Sequence, residues 1–388
     1  RLIWLTRPSK KVDYCGFNMK ICVVANSAWN LANFRLGLIK TLRARGWHVD
    51  VLTPEGEEVA RFVEAGCAVH ILSMDCKGTH PWHDFLLFWR LRQHYLRLQP
   101  DAIVHFTIKP VIYGSLAARS VGVPVVNAIT GLGTAFLREG WLQRLVRRLY
   151  KLALPASPTV MFENPDDLDL FVRAGLLHPS QARLSPGPGV DVAHFQLSAL
   201  PDARGDAPVF LLVGRMLRDK GVVEYVEAAR LLRQRCPGAR FALLGFLGVE
   251  NVSAISRAEM DAWVAQGDVE YWGAASDVRP MVEKADCVVL PSYREGMPRT
   301  LLEAAAMGRP LVATDVPGCR EVVVDEVNGY LCEVKNAQSL AQAMEKVARL
   351  TPTQRRVLGH AGRERVEQQF AEDYVVSFYI QAILDMVQ

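Results

Sequence analysis

The sequence lacks long apolar runs: within its 388 residues none approaches the roughly 18–20 consecutive apolar residues that a membrane-spanning helix needs. Residues 1–18 carry no apolar segment after Lys10 and Lys11, unlike a signal peptide. We expect Met19 to be the natural start and residues 1–18 to be an extension without a structural role. The eight cysteines form no CxxC pair and no Cys/His cluster with metal-ligand spacing, which is typical of a reduced, cytosolic protein.

Three nucleotide- and metal-binding motifs are also missing. No GxGxxG follows the first predicted strand, which argues against a dehydrogenase, and no GxxxxGK[ST] indicates a P-loop enzyme. Asp167-Leu168-Asp169 lies in a predicted helix after Asn164-Pro165, where acidic residues are ordinary capping rather than a metal-binding DxD. The net charge of +4 is too small to indicate a nucleic-acid partner. We therefore expect no metal and no cofactor.

Short apolar runs alternate with helical patterns along the chain, which predicts an α/β protein with parallel sheets. The predicted strands are 21–25, 49–53, 69–72, 102–106, 123–129, 159–162, 209–213, 240–244, 269–272, 287–290 and 311–313. The polar segment 197–207 predicts a linker. We predict that residues 19–196 and 208–388 form two doubly wound, Rossmann-like domains facing a central cleft, with the C-terminal helix packing back on the first domain.

A loop with two cations follows the first strand of the second half. Gly214 allows a tight exit from the strand, and Arg215 and Lys220 have the charge and hydrogen-bonding capacity to bind a diphosphate. Ordinary surface charges on a solvated loop are the alternative interpretation.

A second loop runs from Pro291 to Pro298 and leads into a helix predicted from Thr300. Its glycine and proline residues, Gly296 and Pro298, predict an irregular backbone whose N–H groups, with the helix N-terminus, suit an anion. Glu303, predicted in the first turn, has a carboxylate that accepts two hydroxyl hydrogen bonds, as from a ribose. Acidic capping of the helix would explain Glu303 but not Glu295.

At these residues the sequence resembles the GT-4 family of retaining glycosyltransferases, which have the GT-B fold. Glu295 and Glu303 match the E-x7-E signature of that family, and Gly214-Arg215 with Lys220-Gly221 resemble its diphosphate-binding stretch. The resemblance implies that Arg215 and Lys220 neutralise the donor diphosphate and that Glu303 holds the ribose. It also implies that the loop Glu295-Gly296-Met297-Pro298 holds the donor sugar.

The same resemblance makes Glu295, Arg215 and Lys220 the main catalytic candidates. Trp272, followed by Gly273, resembles the edge of the family's nucleobase site, and core packing of the ring is the alternative. His105 is a weaker catalytic candidate because Phe106 occupies the aligned position of the family's histidine. The alternative for His105 is a packed or half-buried side chain.

The first half resembles the acceptor-binding part of the family. Asn33 and Arg35 close the segment Ala25–Arg35, predicted to be a loop, where the family usually has glycines and this chain has Asn and Ser. The remaining acceptor-binding candidates follow two other strands: Thr107, Lys109, Gly131, Gly133 and Thr134. The sequences TIKP and GLGTAF around them resemble a bacterial subgroup that extends undecaprenyl-diphosphate-linked sugars, including N-acetylgalactosaminyl transferases.

The segment Trp141–Leu154 predicts a basic amphipathic helix. Arg144, Arg147, Arg148 and Lys151 recur at i, i+3, i+4 and i+7, and apolar residues, Trp141 among them, supply the rest. Such a helix is able to lie on an anionic membrane. A core-facing helix with a solvated basic face is the alternative.

Together these features predict a retaining glycosyltransferase on the inner face of the plasma membrane. We expect it to move an N-acetylated hexosamine from a nucleotide-sugar, UDP-linked, to a polyprenyl-diphosphate-linked saccharide in bacterial surface polysaccharide biosynthesis. Two alternatives stay open: a non-hydrolysing nucleotide-sugar 2-epimerase, and a non-catalytic nucleotide-binding subunit of a glycan assembly complex.

Overall fold

The structure, a computed structural model, describes residues 18–74, 80–132, 140–201 and 208–387. In these ranges the strands are β1 (Lys20–Val24), β2 (His48–Thr53), β3 (Ala68–Ile71), β4 (Ala102–Phe106), β5 (Val125–Ile129), β6 (Thr159–Phe162), β7 (Ala182–Leu184), β8 (Val209–Val213), β9 (Arg240–Leu244), β10 (Glu270–Tyr271), β11 (Cys287–Leu290), β12 (Leu311–Thr314) and β13 (Gly329–Cys332). The α-helices are α1 (Ala28–Phe34), α2 (Leu36–Ala44), α3 (Val59–Glu64), α4 (Pro81–Leu98), α5 (Ser115–Val121), α6 (Trp141–Ala153), α7 (Pro165–Arg173), α8 (Val222–Arg233), α9 (Arg257–Ala265), α10 (Arg279–Val282), α11 (Arg299–Ala306), α12 (Cys319–Val322), α13 (Ala337–Arg349), α14 (Pro352–Gln369) and α15 (Glu372–Val387).

The strands form two sheets, with orders β3-β2-β1-β4-β5-β6-β7 and β10-β9-β8-β11-β12-β13. Neighbouring strands run parallel in both, as in the pairs β1–β2, β1–β4, β8–β9 and β8–β11. In each sheet the chain starts at an inner strand, builds outward on one side and then crosses to the other. The prediction of two doubly wound parallel sheets is confirmed, and the crossing points lie between β1 and β4 and between β8 and β11.

The second sheet is covered on both faces. Leu211 and Val213 of β8 pack in one apolar cluster, whereas the alternating Phe210 and Leu212 pack in another. Because side chains alternate along a strand, this division requires apolar layers above and below the sheet.

The region after β1 differs from the prediction. Ala25–Arg35 was expected to be a loop, but α1 already begins at Ala28. The Ser27 side chain accepts the Asn30 N–H and caps α1, and Arg35, with φ −135°, separates α1 from α2. Strands β7 and β13 were not predicted. Arg183 interrupts β7 and a glycine opens β13, so neither shows the continuous apolar run that marks the buried strands.

Close packing divides the chain into two compact units. Of the described residues, the first unit comprises those up to Asn127, those in Ala156–Pro158 and those from Ile380 onward, and the second comprises those in Ala128–Pro155 and Thr159–Tyr379. The domain limits 19–196, 197–207 and 208–388 stay a prediction, as does the role of residues 1–18, of which only Asn18 is described.

In the described ranges no helix combines the length and the apolar character needed to cross a membrane.

Candidate functional site

The crossing point of the first sheet brings together the ends of β1 and β4. The backbone N–H of Asn26 donates to Thr107 Oγ1 over 3.2 Å. Thr107 has φ +68°, a left-handed conformation that a β-branched residue rarely adopts. This candidate acceptor-binding residue therefore lies at the carboxyl edge of the sheet, in a strained backbone of the kind often found at binding sites.

His105 lies inside the fold, which favours the alternative of a packed side chain over the weaker catalytic one. It is fully buried, with Nε2 2.9 Å from the Tyr95 hydroxyl and Nδ1 2.9 Å from Asn127 Oδ1. Burial lowers the pKa of His105 to about 4, against the opposing hydrogen bond with Asn127. The alternative interpretation of a packed histidine agrees with this position, because the strand directs residue 105 to the covered face.

Lys109 and Arg35 were predicted to bind the acceptor, and both are buried. Lys109 Nζ lies 2.9 Å from Asp84 Oδ1, so its charge is neutralised internally. The Arg35 guanidinium stacks on the Phe106 ring, 4.6 Å from its centroid. Both cations are thus held by neighbouring side chains of the first unit, and their role in binding the acceptor stays a prediction. Asn33 is half-buried, and its amide donates to Trp29 O.

The predicted glycine loop after β5 is described only at its start. Gly131 has φ +131°, a conformation that L side chains rarely adopt, and a Cβ there would lie 3.5 Å from Gly296 N. Gly131 thus approaches the backbone of the predicted donor loop. Gly133 and Thr134 lie outside the described residues.

The crossing point of the second sheet brings together the two predicted donor loops. After β8 the chain passes Gly214 and Arg215 and makes a short turn at Arg218–Lys220. Tyr293 of the loop after β11 donates its N–H to Asp219 O over 2.9 Å. A Cβ on Gly221, which has φ +73°, would lie 2.1 Å from Pro291 O, so only glycine allows the two loops this approach.

Lys220 and Glu295, 75 residues apart, form an ion pair at this edge. Both side chains are largely buried. Arg215 is exposed, and no ion pair of its guanidinium is found in the described part of the chain. The structure therefore places two cations and one carboxylate of the predicted donor site at the carboxyl ends of β8 and β11.

The loop Glu295–Pro298 is fixed on several sides. The N–H of Glu295 donates to Pro317 O over 3.2 Å, and a Cβ on Gly318 would lie 2.6 Å from Gly296 O. Met297 is buried in the core of the second sheet, where it contacts the backbone of Gly187. Met297 therefore anchors the loop through its side chain and has only its backbone to offer a ligand.

Residues of α7 also hold this loop, within the second compact unit. Asn164 caps α7 by accepting the Asp167 N–H and also donates its amide to Gly296 O over 2.9 Å. Arg294 pairs with the fully buried Asp167. Burial raises the pKa of Asp167, while the Arg294 guanidinium opposes that shift. The sequence signal Asn-Pro-Asp-Asp revealed the cap but not these contacts, about 130 residues away along the chain.

Glu303 lies on α11, just beyond its first turn, because the helix begins at Arg299 rather than at the predicted Thr300. Arg299 Nε lies 2.7 Å from Glu303 Oε1. Burial raises the pKa of the Glu303 carboxyl, and Arg299 opposes the shift. Capping of the helix thus does not explain Glu303.

Trp272 donates its indole N–H to Glu270 over 3.0 Å and packs partly on the core, in line with the packing alternative.

The predicted basic helix is α6, and its four basic residues, Arg144, Arg147, Arg148 and Lys151, are exposed. Val146, Tyr150 and Ala153 form its buried face. Trp141, Leu145 and Leu152 are 66%, 38% and 61% exposed. The predicted apolar part therefore divides into a buried face and an exposed apolar strip beside the basic residues.

Two family models match most of the chain. Residues 20–164 match the model described as Glycosyl transferase 4-like, and residues 207–349 match the one described as Glycosyl transferases group 1. The two matches contain both crossing points and all the donor-loop residues.

Relatives and solved structures agree with these matches. The N,N'-diacetylbacillosaminyl-diphospho-undecaprenol alpha-1,3-N-acetylgalactosaminyltransferase of Campylobacter jejuni is 28% identical over 339 residues, 84% of this chain and 88% of that protein. The UDP-Gal:alpha-D-GlcNAc-diphosphoundecaprenol alpha-1,3-galactosyltransferase of Escherichia coli is 25% identical over 268 residues, 65% of this chain and 67% of that protein.

HepE of Anabaena, solved with UDP, has a TM-score of 0.77 at 18% identity and covers 95% of this chain and 100% of its own. A glycosyltransferase from Rickettsia africae has the same TM-score at 16% identity, covering 96% and 99%. The chain therefore belongs to the glycosyltransferases with a GT4-like first half and a group 1 second half on the GT-B fold.

Proposed function

We propose that this glycosyltransferase moves an N-acetylated hexosamine from a UDP-linked donor to a polyprenyl-diphosphate-linked saccharide, in bacterial surface polysaccharide biosynthesis. The observation that carries the proposal is the ion pair of Lys220 and Glu295 at the crossing point of the second sheet, with the exposed Arg215 on the same loop as Lys220. The names of the two relatives support the acceptor class, since both acceptors are sugars linked to undecaprenol through a diphosphate. One of these names also includes a UDP-linked donor.

In the proposed donor complex, the two cations bind the diphosphate. Arg215, which is exposed, has a planar guanidinium suited to two phosphate oxygens, and Lys220 adds a point charge. The backbone amides of Gly296 and Met297 and the N-terminus of α11 add partial positive charge. Glu303 accepts the ribose hydroxyls, and Trp272 borders the nucleobase. With two cations on the diphosphate, we expect no metal ion to be needed.

The proposed transfer proceeds on one face of the sugar. The bond from the anomeric carbon to the diphosphate oxygen breaks, and the acceptor oxygen forms its bond on the same side. The acceptor proton passes to the departing diphosphate, so that no side-chain base is required. Negative charge grows on the diphosphate as the bond breaks, and Arg215 and Lys220 stabilise that charge most in the transition state. The anomeric configuration is therefore retained.

We also propose that α6 holds the enzyme on the inner face of the plasma membrane. Each of its four exposed basic residues contributes about 1 kcal/mol of attraction to an anionic leaflet. The neighbouring Trp141 and Leu152, both more than half exposed, add a shallow apolar contact. A lipid-linked acceptor is reached at such a surface.

The testing experiment incubates the protein with radiolabelled UDP-hexosamines and membrane lipid extracts containing polyprenyl-diphosphate saccharides. We expect label in the lipid fraction, with the donor's anomeric configuration retained by NMR. An epimer formed from donor alone would support the 2-epimerase instead. Nucleotide binding without turnover on any lipid acceptor would favour the non-catalytic subunit, and an inverted product would refute the same-face mechanism.

A further inference from the structure

Helix α4 carries a row of exposed aromatic side chains that the proposed site does not use. Trp82, Phe85 and Trp89 are 61%, 50% and 42% exposed, and Leu96 continues the row at 48%. The rings contact one another: Trp82 stacks on Phe85 with centroids 5.7 Å apart, and Phe85 meets Trp89 edge-on at 6.2 Å. From Trp82 to Leu96 the row extends about 21 Å along the helix.

The row lies opposite the face that α4 buries. Leu87, Leu91, Tyr95 and Leu98 pack into the first unit. At 100° per residue these positions point away from Trp82 and Trp89. The aromatic row is thus additional to the core contact of α4, because the helix already has its apolar face for packing.

The charged side chains that α4 itself exposes beside the row all have one sign. Asp84 is the only carboxylate of α4, and it is buried against Lys109 and the Tyr113 hydroxyl. Arg90 and Arg97 are exposed on one side of the row, and Arg92 lies on the other, with its guanidinium 5.4 Å from the centre of the Trp89 ring. A partner that covers this surface therefore has to accept aromatic rings and carry negative charge.

We propose that the aromatic row of α4, defined as Trp82, Phe85, Trp89 and Leu96, inserts into the headgroup layer of an anionic bilayer, with α4 parallel to the membrane plane. Trp and Phe favour this layer, and the flanking arginines reach the lipid phosphates. The inference deepens the proposed function, since it names a second lipid-contacting surface besides α6. The aromatic row of α4 differs from α6 in how it binds the membrane: insertion of rings survives high salt, whereas the attraction of the basic residues of α6 to anionic lipids is screened by salt.

The experiment measures sedimentation of the full chain with phosphatidylglycerol-containing vesicles. For Trp82→Ser/Phe85→Ser/Trp89→Ser we expect binding at about 1 M NaCl, where the Debye length is about 3 Å, to be weaker than wild type. The apparent affinity for the vesicles should fall about tenfold or more, because three exposed apolar side chains are removed. Trp82→Phe/Trp89→Phe should bind within about twofold of wild type, since the rings are kept. Val63→Ser/Val264→Ser/Val357→Ser is the control, because these side chains are also 58%, 43% and 63% exposed.

Tryptophan fluorescence gives an independent measure of insertion. In a Trp141→Phe background, lipids brominated on the acyl chain should quench the protein, and Trp82→Phe/Trp89→Phe should lose most of that quenching while still sedimenting. Thermal unfolding and UDP binding should be unchanged in all variants, because the row is exposed and lies outside the donor site.

The outcomes separate this inference from the proposed function. The inference is overturned, even if sugar transfer occurs, if the Ser variant binds vesicles at high salt as strongly as the wild type. It is also overturned if replacing Trp82 and Trp89 leaves the quenching unchanged. A change of oligomeric state in the Ser variant without a change in vesicle binding also overturns it and identifies a contact between copies. Normal insertion by a protein that transfers no sugar to any lipid acceptor refutes the proposed function and leaves the inference standing.

Discussion

At the scale of single residues, the two cations proposed to bind the diphosphate, Arg215 and Lys220, give the most direct test of the site. Lys220 forms an ion pair with Glu295, whereas Arg215, on the same loop, is exposed. Replacing either by Ala should lower kcat by roughly 10²-fold or more, because charge on the diphosphate grows in the transition state. Steady-state kinetics measure this. Arg218→Ala is the matched control, since Arg218 pairs with Glu259 outside the proposed site. Near-normal turnover of Arg215→Ala would remove Arg215 from the mechanism.

His105 supports a prediction about stability rather than catalysis. Its folded pKa of about 4 lies below the ordinary value of 6.5 because the ring is buried. Between these values the unfolded chain binds a proton that the folded protein excludes, so stability falls as the pH drops from 6.5 towards 4. The loss reaches about 3 kcal/mol at most.

Urea unfolding at several pH values measures this loss. In His105→Gln the pH dependence in this window should become shallower, although the variant is less stable at every pH. An unchanged slope would show that other groups dominate the acid sensitivity.

At the scale of elements, the cap of α7 is predicted to position the donor loop. Asn164→Ala removes both the helix cap and the bond to Gly296 O, so the loop loses one of its fixed points. We expect stability to drop by about 1 kcal/mol and kcat/KM for the donor to fall roughly tenfold, since one buried hydrogen bond is lost.

The matched control for Asn164 is Asn336→Ala. Asn336 caps α13 by accepting the Ser339 N–H, and among the described residues its amide donates to the nearby Glu333 and not to the predicted donor loop. This variant should lose similar stability and keep its kinetics. Equal kinetics for the two variants would mean that the contact between Asn164 and Gly296 is merely structural.

Helix α6 supports a prediction about membrane binding. Changing Arg144, Arg147, Arg148 and Lys151 to Gln should abolish low-salt sedimentation with anionic vesicles, because about 4 kcal/mol of attraction is lost. Nucleotide binding should stay intact, and transfer to a long-chain lipid acceptor should slow more than transfer to a short soluble analogue. The matched control changes four exposed basic residues on other helices to Gln: Lys40, Arg61, Arg119 and Arg356. If both variants lose binding equally, net charge rather than α6 is responsible.

At the scale of the whole molecule, the prediction concerns metal ions. If Arg215 and Lys220 neutralise the diphosphate, activity should survive prolonged treatment with EDTA. The assay is lipid transfer before and after chelation, with unfolding followed in parallel as a control for nonspecific loss. Complete loss that magnesium or manganese restores would show that the diphosphate chemistry is misassigned.

Much of the fold was predictable from local patterns. Buried strands such as Ala102–Phe106 and Cys287–Leu290 were predicted with their observed limits, because a continuous apolar run between turn residues has few other interpretations. Helix α1 was not predicted, because Ser27 acts as its cap through a hydrogen bond that composition does not reveal. The residues of the predicted donor loops were singled out because their glycines, cations and carboxylates follow strands, and their donor-binding role stays a prediction implied by the resemblance.

The sequence by itself determined the two doubly wound sheets and the residues that follow β8 and β11, since periodicity and loop chemistry are local properties. Only the tertiary structure decided which of the polar candidates are buried and paired within the fold. Lys109 is neutralised by Asp84, and His105 is enclosed between Tyr95 and Asn127, because distant segments pack on them. The same packing joined Asn164 and Asp167 to the donor loop and left the aromatic row of α4 in solvent. Burial and pairing depend on contacts between residues far apart in the chain, which a single sequence does not encode in any local pattern.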